Sequence, residues 1–378
     1  MSANSGRISA YFSHLVSRLG SFRDIHCVAI AHMVPNTLSF APALDDFLTL
    51  AAILAKPKSV GRPEYGILSR KYKTPSLSRG WAADVDAVLA TFDDLGLAGR
   101  KVVLVDIGGY FATSVDTIAA RFDGNILGVM EGTENGAAKY EEHGDRKTPV
   151  ITVARSPLKL PEDYLVGSSM VFSIEAVLRD QAEILQTRSA TVVGYGRVGS
   201  SIADILRGRG INTVVYDTDP AKLAEAAARG FQANVRLDDA LERASLVVCA
   251  TGQKAFDLRG FGMLQSGCVI ASVTSADDEF DLSVLEKGYV REPVGDNLVR
   301  YQENRPGGRH FFLIADGNAA NFLHGAVIGP AIQLIEGEKL RAIKALIDGE
   351  VPPSNGHLPG LSHRERREVA EIWIEHFL

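Results

Sequence analysis

The sequence predicts an α/β protein of two doubly wound parallel-sheet domains, one of them a Rossmann dinucleotide domain inserted into a substrate-binding domain. Short β-branched runs alternate with stretches of helical periodicity almost from end to end, the pattern of a parallel sheet covered on both faces. A glycine-rich segment, Gly194-Tyr195-Gly196-Arg197-Val198-Gly199, follows one such run midway along the chain. The 378 residues supply two domains, or three, at about 150 residues each.

In the first half, strands are expected at residues 27–30, 102–106, 126–130 and 150–153, all short and rich in Val, Ile or Leu. Residues 38–54 and 83–95 carry apolar side chains at helical spacing, and the Lys-, Arg-, Pro- and Ser-rich stretch 56–78 reads as a surface excursion. A second series opens at Thr191, with strands at 191–194, 214–217, 246–250 and 269–273 and helices from about Val198 and over 220–228. The helical stretch 171–185 joins the halves. An apolar helix at 325–340 follows a last strand at 311–315 and lets the C-terminus rejoin the first domain. The expected division is a substrate-binding domain over 1–168, the Rossmann domain over 169–323 and returning helices over 324–378. The Pro and Gly cluster 352–360 leads into an amphipathic tail helix, 362–377. No repeat at a solenoid period is present.

Composition narrows the function. Forty Lys plus Arg against 46 Asp plus Glu give a net charge of −6, which argues against binding nucleic acid or an anionic membrane through charge. Cys27, Cys249 and Cys268 lie far apart in apolar surroundings and read as buried free thiols of a reducing compartment. Residues 1–23 lack the features of a secretory signal, and the longest strongly apolar stretch, 47–55, is well short of the ~20 residues of a membrane helix. A cytoplasmic protein acting on a small molecule, without a metal, is expected.

The glycine segment has the full context of a dinucleotide motif, strand before and helix after. Its first glycine permits the tight turn, the second lets pyrophosphate approach the backbone, and the third lets helix pack on strand. The N–H groups and dipole of the helix then favour the phosphates. Asp217 ends the next strand, where a carboxylate accepts the ribose hydroxyls and repels a 2′-phosphate, so the expected cofactor is NAD. The plainer alternative is that these glycines only turn a strand into a helix.

With Asp217-Thr218-Asp219-Pro220 after the motif, the chain resembles the NAD domain of the S-adenosylhomocysteine hydrolases. Ala250-Thr251-Gly252-Gln253-Lys254 is similar to that family's TTGNK turn, and Asp277-Asp278-Glu279-Phe280-Asp281 to its DxEID segment. Arg300-Tyr301, Leu313 to Gly317 and Asn321 are similar to its RY, LLAEG and following asparagine. In the first half, Ala31-His32-Met33 with Thr37 resembles LHMT, Asp106-Ile107-Gly108-Gly109 resembles DDGGD, and Gly128 to Gly136 resembles GxxEETTTG. The resemblance implies NAD contacts from Gly194, Gly196, Arg197, Val198, Gly199, Asp217, Thr251, Gly252, Val273, Ser275, Asn321, Thr133 and Asn135. It implies substrate contacts from Glu131, Thr133, Thr37 and Asp106.

The same resemblance implies a redox-neutral cycle in which NAD oxidises a nucleoside 3′-hydroxyl, the C4′ proton is removed, the 5′ substituent leaves, and the trapped NADH restores the alcohol. Lys159 would be the base at the 3′-hydroxyl with Asp163 holding it, and His32 the acid assisting departure at C5′, as a group titrating near neutrality. Plainer readings stand beside these: a solvated i, i+4 pair for Lys159 and Asp163, a structural histidine, and a helix-capping pair for Glu131 and Thr133.

Departures from the family pattern suggest an altered outcome. Thr274-Ser275-Ala276-Asp277 stands for GHFD, so the gating histidine is absent. Ile107, Tyr110 and Gly132 replace acidic residues, and Gly325 to Pro330 lacks the histidine of the adenine loop, leaving Asn36 and His324 as candidates for base recognition. The resemblance implies a homo-oligomer, dimer or tetramer, although the tail lacks the family's Lys and Tyr ending. Three activities are open: a dehydratase making a 4′,5′-unsaturated nucleoside, with Gly132 leaving room for an extra hydroxymethyl group as in psicofuranosyl adenine; a divergent S-adenosylhomocysteine hydrolase; and a catalytically silent NAD-binding regulator.

Overall fold

The computed structural model describes residues 3–144, 146–274, 276–353 and 356–378. The chain divides into two compact units, residues 1–162 with 329–378, and residues 163–328. These divisions fall at 162/163 and 328/329, against the expected 168/169 and 323/324.

The first unit is built on a five-stranded, all-parallel sheet: β1 (Ile25–Met33), β2 (Thr49–Val60), β3 (Lys101–Asp106), β4 (Asn125–Glu131) and β5 (Val150–Thr152), in the order β2-β1-β3-β4-β5. Alternate side chains serve opposite faces, as strand geometry requires. Cys27, Ala29, Val103 and Val105 join one core with helices Ala3–Leu19, Thr37–Phe47, Ala331–Asp348 and His363–Phe377. Val28, Ile30, Val102 and Leu104 join the other with helices Val85–Asp94, Val115–Arg121 and Glu134–Glu142.

Two expectations in this unit are corrected. The helix expected over 38–54 ends at Phe47, and the chain turns at extended Leu48 into β2, which pairs in parallel register with β1 from His26↔Thr49 onward. A strand buried on both faces shows no alternation, so its apolar run was indistinguishable from more helix. The expected surface excursion from residue 56 contains the end of β2 and a helix, Arg62–Lys71, started by Pro63 and anchored by buried Leu68. The N-terminal helix Ala3–Leu19, unassigned from sequence, buries Tyr11, Phe12 and Leu15.

The second unit holds an eight-stranded sheet: β6 (Ala190–Val193), β7 (Thr213–Tyr216), β8 (Gln232–Asn234), β9 (Leu246–Cys249), β10 (Cys268–Ser272), β11 (Tyr289–Gly295), β12 (Leu298–Glu303) and β13 (His310–Ile314). The order β8-β7-β6-β9-β10-β13 is parallel and doubly wound, with the direction of travel reversing between β6 and β9. The antiparallel β11 and β12 extend it beyond β13. That hairpin was not expected: β11 is mostly exposed and carries no apolar run to announce it.

Both long helices shift from their expected limits. The one expected over 171–185 spans Leu160–Asp180. The one expected from 325 begins at Ala331, because Gly325, Ala326 and Gly329 take left-handed backbone angles and Pro330 follows them. Ser362 caps the tail helix with Glu365 in a reciprocal capping box. Among the described residues no helix is long and apolar enough to cross a membrane.

Gly337 sits where helix Ala331–Asp348 crosses Ala3–Leu19, and a β-carbon there would collide with the hydroxyl of fully buried Tyr11. Gly337→Ala is expected to destabilise the protein by ~1–3 kcal/mol, as overpacked cores are. An unchanged urea midpoint would show that this crossing is not tightly packed.

Candidate functional site

Each sheet ends its parallel strands in loops, and at the point where strand order reverses two adjacent loops run to opposite faces and leave a crevice. In the second unit the buried strand β6 runs into Gly194, whose φ of +96° suits glycine alone. A β-carbon at Gly199 would collide with the Gly194 carbonyl, whereas one at Gly196 would meet nothing within 4 Å. The loop is therefore tight where helix Arg197–Gly208 packs on strand and open where a pyrophosphate would approach. Asp217, just past β7, accepts from the Tyr195 N–H at 2.6 Å and the Asp219 N–H at 2.8 Å, which fixes its carboxylate beside the glycine loop.

The neighbouring loops converge on one fully buried carboxylate. Glu279 accepts from the Thr251 N–H (2.9 Å) and hydroxyl (2.8 Å), the Gly252 N–H (2.9 Å) and the Thr274 hydroxyl (2.6 Å). Val273 continues β10 with an N–H donated to the Cys249 carbonyl. Ser275 lies outside the described residues. Asn321 is buried, and among the described residues its Oδ1 has no hydrogen-bond partner, an uncompensated polar atom of the kind a ligand amide satisfies. The glycine cradle, Asp217 and the orphaned Asn321 oxygen together fit a dinucleotide. Arg197 extends toward Asp163, with 3.7 Å between Nη1 and Oδ2, and Val198 packs into the core beneath the loop. His324, a candidate for base recognition, pairs its Nδ1 with the Ser173 hydroxyl at 3.0 Å and sets its ring edge-on to Phe172.

In the first unit the crevice lies at the ends of β1, β3 and β4. Glu131 accepts from the N–H groups of Gly108 (3.1 Å), Gly109 (3.0 Å) and Thr133 (2.7 Å) and from the Thr133 hydroxyl (2.7 Å). A sequence reading as a ribose ligand meets a carboxylate whose acceptors already serve the protein's own loops. Thr133 caps helix Glu134–Glu142, accepting from the Gly136 N–H, and Asn135 lies in that helix's first turn. Asp106 accepts from the Phe111 N–H and the Tyr140 hydroxyl through Oδ2, while Oδ1 has no partner. Burial raises the pKa of both acids, that of Glu131 to about 8 with the added repulsion of Asp106.

Thr37 donates to the His32 carbonyl at 2.6 Å, and Asn36 donates to Glu336 at 3.0 Å. His32 Nδ1 lies 2.6 Å from the Ser59 hydroxyl. Burial, with Lys56, Lys339 and Lys159 nearby, lowers its pKa well below the ordinary histidine value. The expectation of a group titrating near neutrality is thus corrected, since the ring is neutral at pH 7. Lys159 forms an ion pair of 2.6 Å with Glu162, and both side chains are largely buried. A β-carbon at Gly132 would meet Ile107 Cγ2 at 3.1 Å and Lys339 Cε at 3.5 Å, so these two side chains border the position expected to leave room for an extra hydroxymethyl group. The sequence reading missed Lys56, Ser59, Glu162, Glu336 and Lys339; of these only Glu162 had a local signal, its i, i+3 spacing from Lys159.

Residues 164–327 match the family described as S-adenosyl-L-homocysteine hydrolase, NAD binding domain. The chain is 27% identical over 253 residues to S-inosyl-L-homocysteine hydrolase of Methanopyrus kandleri, a match covering 65% of this chain and 58% of that protein. It is 29% identical over 229 residues to adenosylhomocysteinase of Thermoplasma volcanium, covering 59% of this chain and 55% of that one. The chain thus spans little more than half the length of the relatives it matches. Among solved structures it is similar to an NADPH-dependent glyoxylate/hydroxypyruvate reductase from Sinorhizobium meliloti, at a TM-score of 0.48, 15% identity and coverage of 89% of this chain and 99% of that one. The cofactor of the second unit is NAD.

Two outcomes follow from these contacts. Asp217→Ser is expected to lower the preference for NAD over its 2′-phosphorylated form by about tenfold or more, the scale of one charge-assisted contact; equal preference in variant and wild type, by titration of each dinucleotide, would remove Asp217 from the site. Glu336, pushed up to about 8 from an ordinary 4.5 by burial, leaves Oε2 without a partner. A raised acid contributes stability below its unfolded value and loses it as pH rises through the folded one, so the melting temperature should fall between about pH 4.5 and 8. Glu336→Gln should flatten that fall, leaving the part due to Glu131; an identical slope would exclude Glu336 as its source.

Proposed function

We propose that this chain is a divergent member of the S-adenosylhomocysteine hydrolase family and that it acts on an adenine nucleoside by transient 3′-oxidation, C4′ proton abstraction and elimination at C5′. In its simplest form water leaves, and re-reduction gives a 4′,5′-unsaturated nucleoside. The observation that supports this reading best is that one chain carries a dinucleotide cradle, a largely buried Lys–Glu ion pair and a histidine whose pKa is lowered.

Bound NAD supplies reversible hydride acceptance from the 3′ carbon. The first glycines of the cradle and Asp217 would hold its pyrophosphate and ribose, and Asn321 its amide end. Lys159, in its neutral form, takes the proton from the 3′-hydroxyl, and Glu162 orients and balances the ammonium that results. His32, paired with Ser59 through Nδ1, passes a proton to the group departing at C5′, since a neutral imidazole has one N–H donor and one acceptor. Glu131 and Asp106 keep the loops at β3 and β4 closed around the sugar. Burial raises the pKa of both acids, which weakens the negative charge that would oppose the leaving group.

A second reading, release of homocysteine from S-adenosylhomocysteine or its inosyl counterpart, draws support from the names of the relatives. Mass spectrometry after incubating the NAD-loaded protein with adenosine, psicofuranosyl adenine and S-adenosylhomocysteine separates the two. Loss of one water from a nucleoside supports elimination, and free homocysteine supports the hydrolase. Lys159→Met should cut turnover by about 10²–10⁴, the usual contribution of a general base, while NAD remains bound. Turnover that survives this substitution would remove Lys159 from the chemistry.

A further inference from the structure

In the second unit the turn that follows β13 is strained, and the hairpin of β11 and β12 holds it. The chain leaves β13 through Ala315 and Asp316 at φ of +53° and +51°, then Gly317 at +80°. A left-handed backbone is routine for glycine and disfavoured for alanine, so such residues persist only where their surroundings fix them. The Ala315 N–H donates to the carbonyl of Asn297, between β11 and β12, at 2.9 Å. Both Asp316 oxygens are engaged: Arg291 Nη2 of β11 donates at 3.0 Å and the Tyr301 hydroxyl of β12 at 3.4 Å. Arg291 and Tyr301 are cross-strand neighbours, so one pair of the hairpin supplies both donors. On the other side of the turn, a β-carbon at Gly317 would come within 3.2 Å of Phe280 and 3.3 Å of Ala276 and Leu313. Ala319 then forms a parallel bridge with Ser272 at the end of β10, and buried Asn321, whose Oδ1 has no partner among the described residues, follows in the short helix Ala320–His324.

We propose that the β11 and β12 hairpin is a clamp for the dinucleotide site, and that Asp316, gripped by Arg291 and Tyr301, is a positioning residue that holds Asn321 where its Oδ1 accepts from the carboxamide N–H of NAD. This rests on Asn321 meeting the amide end of the cofactor. Core packing does not account for the hairpin's outer strand, since β11 is mostly exposed. Its Arg291 instead serves the one turn through which the chain passes from the sheet to Asn321. A hydrogen bond weakens steeply as its angle departs from ideal, so a turn that relaxes out of the left-handed region loses the contact downstream.

The test compares NAD with ADP-ribose, which lacks the nicotinamide and its amide, by equilibrium titration of the full chain freed of bound nucleotide. Asn321→Ala is expected to weaken NAD about tenfold, the scale of one hydrogen bond, and to leave ADP-ribose unchanged. Arg291→Met should weaken NAD about three- to fivefold, as loss of a half-exposed ion pair does, with ADP-ribose again unchanged. Arg291→Lys, which keeps the charge, should retain most of the affinity. In the double variant the loss due to Arg291→Met is expected to vanish, because the clamp then has nothing to position. Additive losses in the double variant, or an Arg291→Met protein that binds NAD as the wild type does, overturn the clamp and leave Asn321 in the site. Equal loss of NAD and ADP-ribose affinity in Arg291→Met shows a general loosening of the sheet and overturns it too. Unchanged NAD affinity in Asn321→Ala removes Asn321 from the cofactor and overturns that reading and the clamp together.

Discussion

Two fully buried glutamates hold the working ends of this molecule together. Glu131 in the first unit and Glu279 in the second each accept four hydrogen bonds, three of one pattern: backbone N–H groups and a threonine hydroxyl from the loops that leave adjacent parallel strands. A loop at a sheet end has N–H groups with no ladder partner, and burying them unpaired costs about as much as a lost hydrogen bond each. One carboxylate satisfies several at once and ties neighbouring loops to a common point. In each unit one wall of the switch-point crevice, the loop after β3 or after β9, is thereby tied to the next loop along the sheet.

That solution has an electrostatic consequence. Burial raises the pKa of both glutamates, and in the first unit Asp106 raises that of Glu131 further. Burial, with Lys56, Lys339 and Lys159 nearby, in turn lowers the pKa of His32 well below the ordinary histidine value. The crevice is held by acids and governed by bases. A chain whose net charge is −6 presents a local field of the opposite sign, which composition averages away.

The parallel strands were legible because each is a short β-branched run between turns, and the glycine segment because its conformational demands are local: Gly194 needs a left-handed backbone and Gly199 has no room for a side chain. The same locality explains the misreadings. Residues 49–54 are buried on both faces and looked like more helix, and the hairpin β11 and β12 has an exposed strand with no apolar run. In the site, Lys56 and Lys339 lie nearly three hundred residues apart without a motif, so nothing in their spacing announces that they share a crevice.

The sequence by itself determined the class of fold, the place of the dinucleotide loop and the acidic residue beside it, since each depends on periodicity or on residues within one strand, turn and helix. Only the tertiary structure decided which groups carry charge. The pKa of His32 is lowered and Glu131 fastens loops, because desolvation, hydrogen bonds and Coulomb forces act between residues that meet in space and are distant in the chain.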